Sequence, residues 1–96
     1  MIFLQDVMRR RNDILAVAGK YGAHDVRIFG SVARGQPGPS SDLDMIVRFD
    51  PDRTLFDHGG LVMDLQDLLG VHVDVLDEDG LRPRFRDHVM KEAVTL

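Results

Sequence analysis

The sequence has no cysteine, two glutamates, two lysines and no long apolar run. Without cysteine there is no disulfide scaffold, no Cys-based zinc site and no thiol nucleophile. No stretch approaches the roughly 18 apolar residues of a membrane span. The start, MIFLQDVMRRR, puts apolar residues ahead of charges, the reverse of a secretory signal. A cytoplasmic protein is the expectation. The scarcity of Glu and Lys throws the charge onto 14 Asp and 10 Arg, for a formal net charge of −4. That balance argues against broad nucleic-acid binding, whose phosphate contacts need a basic face. Asp forms helices poorly and favours turns, caps and hard-metal sites. Where the aspartates sit is therefore the question the composition poses.

With 96 residues, 44% hydrophobic and 29% charged, the chain has the composition of one globular domain, 1–96, with a small core. Leu4, Val7, Met8, Ile14, Leu15, Ala18 and Tyr21 recur at helical spacing, predicting a helix over 4–21 that stops at Gly22. Arg9-Arg10-Arg11 spreads around that helix and reads as a solvated stretch. Residues 25–29 are a short strand running into Gly30-Ser31. Val32-Ala33-Arg34-Gly35 allows one or two helical turns, and 36–41 is a loop by composition. Residues 43–49 make the clearest strand. A second long helix lies within 55–69, ended by Gly70 and weakened at its start by His58-Gly59-Gly60. A strand at 71–76, a polar turn at 77–80, a helix near 84–92 and a strand stub at 94–96 follow. The order α-β-α-β-α-β-α predicts an α/β (α+β) domain, with three to four strands covered by helices mainly on one face.

Three features point to chemistry. Gly30-Ser31 joins a strand to a short helix. Glycine lets a phosphate approach the backbone, and the serine either caps the helix or donates its hydroxyl to phosphate. Asp42-Leu43-Asp44 opens a strand, where residues i and i+2 share a face. Two adjacent carboxylates repel unless a cation lies between them, and Mg²⁺ takes one or two carboxylates plus substrate phosphates. Strand-edge solvation, with Asp42 in a turn, is the bland alternative. Leu43, Met45 and Val47 face a core. Asp74 sits mid-strand in Val71-His72-Val73-Asp74-Val75-Leu76, where an acid is costly to bury unless paired or metal-bound. If that strand neighbours 43–49, Asp74 joins Asp42 and Asp44. Three carboxylates can hold two Mg²⁺ ions. Arg34, one turn beyond Ser31, either binds triphosphate or pairs with Asp42 or Asp44. His72 shares the Asp74 face and either lines the site or is solvated. His24 and His88 read as surface residues, and His58 has no evident role.

Gly30-Ser31, ten residues, then Asp42-Leu43-Asp44 resembles the Gly-Ser…Asp-X-Asp signature of the polymerase β-like nucleotidyltransferases. The string GSVARGQPGPSSDLDMIV is similar to that of the minimal nucleotidyltransferase (MNT) family, with Asp74 where that family has its third carboxylate. The resemblance covers nearly the whole chain. It implies a nucleotidyltransferase fold with a mixed sheet, and transfer of NMP, most often AMP from ATP, to an acceptor hydroxyl. It implies Asp42, Asp44 and Asp74 as catalytic and metal residues, with two Mg²⁺ ions (Mn²⁺ as substitute). Gly30, Ser31, Arg34 and Ser41 are then the nucleotide-binding residues. Larger relatives append a helical domain for the acceptor, which this chain is expected to borrow from a partner. MNT proteins resemble antitoxins whose partners are helical HEPN toxins, so the implied partner is a HEPN ribonuclease and the implied reaction AMP transfer to its tyrosine. Neutralisation by binding alone, or transfer to a small molecule or RNA end, are the alternatives.

Overall fold

The structure is a computed structural model, and it describes residues 1–38 and 42–96. Ser41, expected at the nucleotide, lies outside the described residues. The elements run α1 (Leu4–Arg9), α2 (Arg11–Lys20), β1 (Ala23–Phe29), α3 (Gly30–Ala33), β2 (Leu43–Phe49), α4 (Leu55–Leu69), β3 (Val73–Asp77), a 3₁₀ turn at Glu78–Gly80, α5 (Pro83–Glu92) and β4 (Val94–Thr95).

The four strands form one sheet in the order β3-β2-β1-β4. β1 pairs antiparallel with β2 and with β4, while β2 pairs parallel with β3. The parallel pair is joined by α4, since parallel strands need a crossover. This is the mixed sheet expected from the sequence, and the stub at 94–96 is its fourth strand. Leu43, Met45 and Val47 are fully buried with Ile14, Leu61 and Leu65 in one cluster. Each such side chain contributes about 1.5–3 kcal/mol by leaving water. The alternate residues of β2, Asp44, Ile46 and Arg48, take the other face. Ile46 is buried there, outside that cluster.

Two elements depart from expectation. The helix predicted over 4–21 is two helices that meet at Arg10. A tight bond from Arg10 N to Val7 O closes α1, and Ile14 N bonding to Arg10 O opens α2. Neither Gly nor Pro marks the break, so the apolar spacing runs through it unaltered. β1 starts at Ala23 rather than residue 25, because Gly22 at φ 73° turns the chain directly into the sheet. A bulge lies between His24 and Arg27, with Asp25 at φ 52°. Aspartate tolerates that left-handed backbone better than most residues.

The glycines of α4 have a packing reason. A Cβ on Gly60 would stand 2.5 Å from the Tyr21 ring. The ring lies against the helix there, and its hydroxyl donates to Asp64 at 2.6 Å. His58, two residues earlier, bonds through Nε2 to the Val75 carbonyl at 2.7 Å and ties α4 to β3. α4 begins with Thr54, whose side chain accepts from Phe56 N, and ends on Gly70 at φ 69°. Among the described residues no helix is long and apolar enough to cross a membrane.

Candidate functional site

The parallel register sets Asp44 of β2 directly opposite Asp74 of β3. On its other side Asp44 pairs with Phe29, the last residue of β1. The chain turns immediately after Phe29 into Gly30, at φ 75°. A Cβ on Gly30 would collide with the Asp44 carboxylate. The left-handed backbone favours glycine here, and any added methyl would force the Asp44 carboxylate to shift. The Gly-Ser turn and the Asp-X-Asp strand, ten residues apart in sequence, are thus neighbours in space.

Asp42 stands one residue before β2 and His72 one residue before β3. The strands are already knitted at this point, since Leu43 N donates to His72 O at 2.9 Å. The His72 ring lies between two acids. Its Nδ1 is 3.1 Å from Asp42 Oδ2 and 3.9 Å from Asp74 Oδ1. One ligand atom from each of Asp42, His72 and Asp74 falls within 4.8 Å of the others. All three lie where solvent reaches them.

Asp44 is the electrostatic centre of the group. Partial burial, then the charges of Asp74 and Asp42, push its carboxyl above the usual carboxylate range, against opposing pulls from Arg34 and His72. Like charges held this close are destabilising without a cation. The donor set is chiefly hard carboxylate oxygen, which suits Mg²⁺ or Mn²⁺.

Two alternatives left open by the sequence are narrowed. Arg34 does not pair with Asp42 or Asp44: its guanidinium bonds Glu92 of α5 at 3.1 Å. α5 packs against α3, which brings Glu92 within reach. Ser31 does not cap its helix. It lies inside the first turn of α3, and the cap position is Phe29, which offers no side-chain bond. The hydroxyl is therefore not committed to the helix end. Sequence reasoning left His72 undecided between site and solvent; its ring belongs with the acids. The i, i+2 spacing to Asp74 was the available signal. Glu92, 58 residues from Arg34, gave none.

Comparison with known proteins matches residues 13–96 to the nucleotidyltransferase domain family. A Methanocaldococcus jannaschii protein, MJ0435, bears the provisional name of a protein adenylyltransferase. It is 34% identical over 84 residues, covering 88% of this chain and 90% of that protein. A solved structure provisionally described as a minimal nucleotidyltransferase superposes with TM-score 0.90 at 46% identity, covering 99% and 97% of the two chains. A structure of tri-AMPylated Shewanella oneidensis HEPN toxin in complex with MNT antitoxin superposes with TM-score 0.70 at 17% identity. It covers 92% of this chain and 69% of the matched one, and at that identity shares the fold.

Proposed function

The chain belongs to the nucleotidyltransferase family, and from that premise we propose that it moves AMP from ATP onto a tyrosine hydroxyl of a HEPN-type toxin, acting as its antitoxin. The observation that carries this reading is the in-register pair Asp44 and Asp74, flanked by Asp42 and by the Gly30 backbone. The name of MJ0435 and the tri-AMPylated toxin bound to an MNT antitoxin support the acceptor class.

The acceptor oxygen attacks the α-phosphorus. The bond from that phosphorus to the β-bridging oxygen breaks, and pyrophosphate leaves. Asp74 takes the hydroxyl proton. Asp42, Asp44 and Asp74 would hold two Mg²⁺ ions, with Mn²⁺ as a substitute, and the chemistry these would supply is neutralisation of developing negative charge and activation of the attacking oxygen. Gly30 presents its backbone to the β- and γ-phosphates, and the Ser31 hydroxyl donates to them. Arg34, aligned by Glu92 near this turn, adds positive charge on the same side. Ser41 completes the nucleotide contacts.

The test is mass spectrometry of the partner after incubation with ATP and Mg²⁺. The partner should gain one or more AMP masses, and Asp42→Ala or Asp44→Ala should abolish the gain. A partner that is inhibited but unmodified would establish occlusion instead. Label from ATP appearing on RNA or a small molecule, with protein unlabelled, would overturn the acceptor assignment.

A further inference from the structure

His72 differs from the three carboxylates in both chemistry and placement. Its Nδ1 points into the space between Asp42 Oδ2 and Asp74 Oδ1, at 3.1 and 3.9 Å. Two donors each about 2.1 Å from one six-coordinate ion stand about 3 Å apart when adjacent and about 4.2 Å apart when opposite. Both distances fall in that range. The three ligand atoms are also mutually within 4.8 Å. Beyond these two acids the ring makes no hydrogen bond or ion pair among the described residues. Its side chain is 61% exposed, and the backbone carbonyl, not the imidazole, bonds Leu43.

We propose that His72 supplies a nitrogen ligand to a divalent ion shared by Asp42 and Asp74, so that this position favours a first-row transition ion over Mg²⁺. The inference rests on the reading of these acids as metal ligands. Mg²⁺ is confined to oxygen donors and keeps its waters, whereas imidazole is a good ligand for first-row transition ions. Replacing His72 therefore weakens the transition ion more than Mg²⁺. Asp44, facing Asp74 from the neighbouring strand, remains free to serve the oxygen-only position beside it.

The test is spin-echo EPR on Mn²⁺ bound to the nucleotide-free protein, carried out with ordinary and with isotope-labelled histidine. The expected result is a coupling from a directly bound nitrogen that shifts with the label and vanishes in His72→Gln. Titration should show Mn²⁺ affinity reduced about tenfold or more in that variant, with Mg²⁺ affinity, read by competition, changed much less. Because His72 is exposed, the variant should fold normally, and its circular dichroism serves as the control. Mn²⁺ bound with no histidine coupling overturns the proposal while leaving the carboxylate site standing. Equal weakening of Mn²⁺ and Mg²⁺ also overturns it. Failure of wild-type protein to bind either ion, with or without ATP, overturns the metal reading itself.

Discussion

Strand β2 carries acids at one end and an arginine at the other, both on the face away from the main core. At the Asp44 end, Asp42, Asp44 and Asp74 lie together with the His72 ring beside Asp42 and Asp74, and among the described residues no arginine or lysine pairs with any of the three. At the Arg48 end, one guanidinium lies 3.4 to 3.6 Å from Glu78, Asp79 and Asp25. Arg27 reaches Glu78 as well, at 3.3 Å. Glu78 is the buried charged residue among those described, and both its oxygens are paired. The chain therefore does supply arginine to acids where the purpose is to hold the fold. At Asp44 no arginine forms an ion pair among the described residues, and Arg34, paired with Glu92, acts on it only from a distance. Negative charge left unpaired by side chains is what a divalent cation requires, and only such a cation would let an anionic triphosphate approach the acids.

Substitutions should separate the two ends. On the proposed function the largest effect is on activity: Asp44→Asn should reduce AMP transfer at least about a hundredfold, since a carboxylate that holds a catalytic metal would be worth several kcal/mol in the transition state. The same variant should lose no melting temperature and, without metal at neutral pH, should gain slightly. A large drop would mean Asp44 is a structural ion-pair partner. At the other end the outcome reverses. Arg48→Met should cost about 2 kcal/mol in denaturant unfolding by stranding Glu78, with transfer activity intact in the folded protein. Unchanged stability would show that Arg27 alone suffices for Glu78.

Gly30→Ala falls between these. The left-handed backbone should cost roughly 1–2 kcal/mol, and the added methyl should displace the Asp44 carboxylate, so activity falls as well. An alanine variant with full activity would break the link between the turn and the acid.

The smallest effect is a pH dependence. Asp44 titrates above the usual carboxylate range in the folded protein, chiefly through burial. The folded state then holds its proton more firmly than the unfolded chain does. Its contribution is favourable below the unfolded value of about 3.9 and is lost as pH rises through the higher folded value. Asp44→Asn should accordingly be the more stable protein at neutral pH without metal, and that advantage should vanish in acid. An advantage that grows in acid would refute the assigned cause.

Much of this was readable from the residues. Strand β2 and helix α4 stand where alternation and the apolar stripe predict, because both bury one regular face in the same core. The meeting of Asp74 with Asp44 needed only that β3 lie beside β2. What escaped was set by contacts distant in sequence. The break at Arg10 leaves the helical period intact. Gly60 reads as a flaw in a helix until the Tyr21 ring is placed against it. The Arg34–Glu92 pair depends on how α5 packs against α3, which no local pattern encodes.

Asp42 and His72 each stand just outside a strand, where a sheet ordinarily frays. The hydrogen bond between Leu43 N and His72 O is the first rung of the β2–β3 ladder. A ligand gripping the two flanking side chains clamps that rung from outside. Occupancy should therefore be visible without chemistry, as slowed solvent exchange of the Leu43 amide. The mouth of the sheet is then a local stability gauge for what the site holds.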